Sequence, residues 1–149
     1  MKIPIFLAAL VILSACNPSD TRPGVWLSGQ TADETPSDWS FTDAYKEVAL
    51  EVVTPYFIPH SVTIWCAQMD GVLYVGAGAP EEKNWPGWVD DDPTVRLLIG
   101  ETIFSGTLAD VTDAKEIERL RGAYEKKYDL ESMVQGVRYW RVAAPQSDA

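Results

Sequence analysis

The chain has 149 residues, with 22 acidic side chains against 12 basic ones and a formal net charge of −10 at pH 7. So acidic a chain is repelled by phosphate backbones and anionic headgroups, which argues against nucleic acid as a partner and against membrane attachment through a basic patch. The length is that of one domain.

Lys2 precedes an apolar run from Ile3 to Leu13, and Leu13-Ser14-Ala15-Cys16 closes it. The run is too short to span a bilayer as a helix, and no second apolar run is long enough to do so. A basic start, an apolar stretch and a small-residue site make an export signal. With cysteine where an ordinary signal ends in alanine, the segment resembles a bacterial lipoprotein signal. That resemblance implies cleavage before Cys16, acylation of Cys16 and a lipid-anchored protein of the cell envelope on the periplasmic face. Asn17, rather than aspartate, after the cysteine resembles outer-membrane sorting. Without residues 1–15, which contribute only Lys2 to the charge, 11 basic residues face 22 acidic ones, for a formal charge of −11. Once Cys16 is acylated, Cys66 has no disulfide partner in the chain. It lies in an apolar stretch, which predicts burial, and no cationic residue is near it in sequence to activate the thiol.

The division expected is a signal peptide over 1–15, an acylated N-terminus and partly docked tether over 16–40, and a folded domain over 41–145. The tether is rich in Pro, Ser, Thr, Asp and Gly. Trp26 and Trp39 are costly to leave in water, so part of it is expected to pack on the domain. Lys46 to Thr54 becomes β-rich in its second half, and Pro55 and Pro59 bound a turn. Ser61 to Ala67 alternates, with Val62, Ile64 and Cys66 on one face and Ser61, Thr63 and Trp65 on the other. Asp70-Gly71 is a hairpin turn before the strand Val72–Gly76. Glu81 to Asp92 reads as a short helix or helical turn ended by Pro93. Thr94–Ile99 and Thr102–Val111 are strands joined at Gly100-Glu101, and Gly106 marks a bulge or a close backbone approach. Thr112 or Asp113 caps the next helix, and Asp113 with Glu116 has the spacing of a capping box. The helix that follows places Ile117, Leu120, Tyr124 and Tyr128 on one face. Gly136–Ala143 is the last strand, and either of its faces could be the buried one. Six strands joined mostly by hairpins, with one long helix and one short one, predict an antiparallel six-stranded barrel with peripheral helices.

From Lys46 to Val142 this order resembles the flavin-binding split barrel, the superfamily of pyridoxamine-phosphate-oxidase-like proteins and deazaflavin-dependent nitroreductase relatives. The residues that carry the resemblance are Gly71-Val72-Leu73-Tyr74-Val75, Lys83, Trp85, Asp92-Pro93-Thr94-Val95-Arg96-Leu97, Gly100 and Val111-Thr112-Asp113. It implies a split β-barrel that binds FMN or a related flavin, pairs as a homodimer, and acts as a small oxidoreductase of the nitroreductase type. Lys83 would hold the flavin phosphate with help from Arg96, Ser61 and Thr63 would supply hydroxyls, and Trp85 would stack on the ring. The alternative reading keeps the barrel without a cofactor, as a binding or structural lipoprotein.

Against these roles stand plainer ones. Isolated lysines are usually surface charge. Trp85 and Trp88 more often lock a helix onto a barrel than stack on a cofactor. His60 has no partner identifiable from sequence and reads as a turn histidine. Asp90-Asp91-Asp92 lacks the ligand spacing of a calcium loop, so no metal site is expected. No nucleophilic triad and no Gly-rich phosphate loop is present.

Overall fold

The computed structural model describes residues 22–145, so the signal and Cys16 lie outside the described residues. Within this range the strands are β1 (Gln30–Thr31), β2 (Glu47–Val52), β3 (His60–Met69), β4 (Val72–Ala77), β5 (Thr94–Ile99), β6 (Thr102–Asp110) and β7 (Arg138–Ala143). Two helices join them, α1 (Trp85–Asp91) and α2 (Ala114–Tyr128). The antiparallel order β6-β5-β2-β3-β4-β7 closes on itself through a β6–β7 pairing. This is the expected six-stranded barrel. β1 is an addition that the sequence did not announce, a two-residue strand lying parallel to β6.

Closure depends on two long strands that change partners halfway. β3 pairs with β2 through Trp65 and with β4 from Cys66 onward. β6 pairs with β5 through Thr107 and with β7 from the same residue onward. Gly106 sits just before that change. Its pairing with Val95 is regular, so there is no bulge in this ladder; instead a Cβ there would stand 3.0 Å from the carbonyl oxygen of Ala143. The close backbone approach is the reason for glycine.

The alternation read from the sequence defines the interior. Val48, Leu50 and Val52 of β2 meet Cys66, Leu73, Val75, Val95 and Leu97 inside the barrel. Trp140 and Val142 settle the open question of β7, since they face inward while Tyr139 packs outside under α2. Trp39 is buried in this core, as expected of the tether. Trp26 is not: it is exposed, and its neighbour Leu27 is the residue that packs, on Ala49 and Ile103. At the hairpin, Asp70 and Gly71 both have positive φ (53° and 79°), the conformation a two-residue turn between twisted strands requires.

α2 begins where the capping pattern places it, with Glu116 N–H donating to Asp113 Oδ1 at 2.8 Å. Only half of the box forms. The Glu116 carboxylate turns to the sheet, accepting from Arg141 Nη2 at 2.6 Å and from Tyr74 Oη at 2.8 Å. These two bonds, Arg141 first, lower its pKa below the ordinary 4.5. A depressed carboxylate pKa gives stability that is complete above the unfolded-state value and is lost as pH falls through the folded one. Glu116→Gln is therefore expected to flatten the decline of melting temperature as pH falls below about 4.5, the ordinary value. Parallel acid limbs for the two chains would contradict it.

Candidate functional site

The hairpin β3–β4 does not stay zipped. Beyond the Cys66↔Val75 rung the strands part, β3 toward β2 and β4 toward β7. Two tyrosines of α2 sit at the parting. Tyr124 Oη donates between the carbonyls of Trp65 on β3 and Tyr74 on β4, 3.3 Å from each. Tyr128 Oη accepts from the Cys66 N–H at 3.0 Å, where the β2–β3 ladder ends. Burial pushes both phenols up, so each remains a neutral donor at physiological pH.

The parting opens a groove with two connected compartments. The first has a volume of about 400 Å³ and lies between the β3 edge, Thr63 to Trp65, and the β4 end, Gly76 to Gly78. Its lining is mostly apolar: Trp65, Trp85, Met133, Val134 and Val137. The second, about 430 Å³, carries two basic side chains, Arg22 and Lys83, and one carboxylate, Glu82, together with His60, Thr63 and Asn84, among apolar walls of Pro23, Val62, Ile64 and Trp85. Thr63, Ile64, Lys83 and Trp85 line both. Each volume lies in the range of small-molecule sites.

Of the residues singled out in the sequence, Lys83, Thr63 and Trp85 thus come together. Lys83 is exposed at the join, and its ammonium is already tied down, donating to the carbonyl of Gly78 and, at 3.5 Å, to that of Ala79. Trp85 is 4% exposed and its ring lies 5.1 Å from that of Trp140, so it is a core residue that also shows one surface to the groove. Ser61 and Arg96 are not among the lining residues of either compartment. Ser61 is buried, and its backbone pairs with Gly24. Arg96 lies between the inward-facing Val95 and Leu97, so it points outward, where it meets Glu51 at 3.0 Å.

The three aspartates are also accounted for. Asp90 pairs with Arg138 at 2.6 Å, Asp92 accepts the Thr94 N–H at 2.9 Å, and neither they nor Asp91 line the groove. Sequence reasoning missed the far wall, Leu130 to Val137, because it follows α2 by chain continuity and meets β4 only in the folded barrel. His60, read as a turn histidine, opens β3, and its ring stands edge-on to Trp88 at 5.3 Å in the wall of the second compartment.

Cys66 is buried, as expected. The absence of a nearby cation does not hold in space: Lys127 Nζ lies 3.6 Å from Sγ. Burial still dominates and raises the thiol pKa despite the lysine, so Cys66 is a neutral packing residue.

No protein-family model matches the chain, and no curated protein matches its sequence. Solved structures do match in shape. A candidate pyridoxamine 5′-phosphate oxidase from Listeria innocua superposes with a TM-score of 0.57 at 20% identity, covering 72% of this chain and 90% of that one. A candidate 5-nitroimidazole antibiotic resistance protein from Bacteroides thetaiotaomicron gives 0.57 at 12% identity, with 83% and 89% covered. An FAD-binding protein from Mesorhizobium loti gives 0.51 at 15% identity, with 70% and 82% covered. At such identities the likeness is one of fold, and with the closed antiparallel barrel it establishes that this chain has the split-barrel fold of those three proteins.

Proposed function

We propose that this chain is a lipid-anchored envelope protein, held at the periplasmic face of the outer membrane through Cys16, whose split binds a planar, anionic cofactor of the flavin class in the service of a small oxidoreductase. One observation carries the binding half of this reading: an apolar, tryptophan-walled compartment shares a wall with a basic one. That is the shape and polarity of a molecule with a flat ring at one end and a phosphate at the other. The ring would lie along Trp85 and Trp65, and the phosphate among Lys83, Arg22, His60 and the Thr63 hydroxyl. A bound flavin supplies hydride transfer; the residues here bind it, orient it and keep water from its ring. The similarity in fold to an FAD-binding protein supports the same class. A second copy closing over the exposed Trp65 and Val134 at the groove belongs to this reading as well.

The test is a titration of the full chain in detergent with FMN, followed by absorbance and by thermal melting, with haem in parallel. Saturation at a hundredfold excess over Kd is expected to stabilise the chain by about 2.7 kcal/mol. Lys83→Ala should weaken FMN binding by about tenfold, the worth of one charge-assisted contact, with little change in the melting temperature of the ligand-free chain. No spectral change and no stabilisation with either compound would replace this reading with that of a cofactor-free binding lipoprotein.

A further inference from the structure

The loop from β2 to β3, residues 53–59, carries Val53, Tyr56, Phe57 and Ile58 on its surface and no charged side chain, and Phe57 is 95% exposed. The loop is a built turn. Phe57 has φ +65°, a left-handed conformation unusual for an aromatic residue. Thr54 Oγ1 holds that turn by donating to the Ile58 carbonyl at 2.6 Å. Val25 and Trp26, the latter 63% exposed, lie at the same end of the barrel. Gly24 pairs with Ser61, and Leu27 N–H reaches Glu51; the Glu51↔Ser61 rung is next to Val52↔His60, from which the loop springs. Six large apolar side chains therefore share one exposed end, more than scattered surface hydrophobics account for.

The N-terminal chain arrives at that same end. Arg22 is the first described residue and shares the basic compartment with His60, at the foot of the loop. Six peptide steps separate it from Cys16, a reach of roughly 20 Å at full extension. Given the lipid anchor at Cys16, on which this inference rests, the bilayer surface lies within that distance of Arg22. We infer that the Tyr56-Phe57-Ile58 tip, with Trp26, inserts into the interface of the membrane that holds the anchor. Aromatic side chains with an apolar body suit that depth. The occupant is a zwitterionic lipid surface: Asp91 and Asp92 border Val53 and Pro55 and disfavour anionic headgroups, with the guanidinium of Arg22 on the other side of the loop's foot. Docking gives the barrel a fixed orientation, with its basic compartment toward the lipid surface.

The test uses the full, acylated chain carrying Phe57→Cys with an environment-sensitive fluorophore. Cys66 is buried and Cys16 acylated, so the label goes to position 57. A second chain carries the label at Glu118→Cys, exposed on α2. On phosphatidylcholine–phosphatidylethanolamine vesicles, the label at 57 is expected to shift to the blue and to lose iodide accessibility about tenfold relative to 118, the partition one apolar side chain gives. Adding Ile58→Asp should abolish the shift. Equal accessibility at both positions while the chain floats with the vesicles would overturn the docking and leave the anchor standing. A blue shift that grows with protein concentration without vesicles would assign the patch to a second copy instead. A mass lacking acyl chains at Cys16, with no flotation, would overturn the anchor and the docking together.

Discussion

Trp85→Ala is expected to cost about 3–5 kcal/mol, a large part of the stability of a domain of this size. Trp85 opens α1 and turns its ring inward, where it is 4% exposed and tilted against Trp140 at 5.1 Å. The neighbouring positions are also spent on the core, with Val89 one helical turn further on and Leu73, Val75 and Leu97 across the barrel. Alanine would leave a void that a closed barrel cannot collapse to fill, because each strand is held by two neighbours. The same ring forms a wall of both compartments of the groove, so its loss merges them. Trp85→Phe, which keeps a ring in the core, should recover more than half of the lost stability. Urea unfolding of the three chains measures this. A loss below about 1 kcal/mol for Trp85→Ala would mean that the ring is not part of the barrel core.

Those features that are local in the chain were legible in the sequence. Asp70-Gly71 gave the hairpin, Pro93 ended α1, Asp113 capped α2, and the alternation of Val95, Leu97 and Ile99 gave both a strand and its inner face. Each depends on residues within a few positions of one another, so short-range sterics and periodicity decide it. What was not legible involves partners distant in sequence. Arg96 has the composition and place of a phosphate ligand, but the β2–β5 register sets it directly opposite Glu51, and that pairing joins strands far apart in the chain. Trp26 and Leu27 differ by one position in an extended segment, and parity alone decides that Leu27 packs and Trp26 does not. β1 is only Gln30 and Thr31, polar residues whose strand character comes entirely from lying beside Thr102 and Ile103. The groove itself follows from Tyr124 and Tyr128, which read as core residues on a helix face; only the folded barrel shows their hydroxyls at the parting of β3 and β4.

Glu51→Ala should cost about 3 kcal/mol, the second large effect, and it reaches the site through the N-terminal strap. β2 turns Val48, Leu50 and Val52 inward, so Glu51 points out of the barrel, yet it is only 7% exposed because the strap of residues 22–31 crosses over it. Its two oxygens are both in use. Oε2 accepts the Leu27 N–H at 2.5 Å, and Oε1 accepts from Arg96 Nη1 at 3.0 Å. Removing the carboxylate strands a buried N–H and a half-buried guanidinium, and each orphaned group adds to the penalty. Because Arg96 retains partial access to water, the cost falls at the lower end of that for breaking a buried pair. Glu51→Gln keeps an acceptor for Leu27 and should cost about half as much. The strap also brings Arg22 and Pro23 to the basic compartment. Glu51→Ala should therefore weaken FMN binding as well as stability, although no groove-lining atom has changed. A double-mutant cycle with Arg96→Ala separates the two parts: the ion pair appears as a coupling energy, and the Leu27 contribution as the remainder. Full additivity of the two substitutions would mean that Glu51 holds the strap alone and that its pairing with Arg96 contributes nothing to the fold.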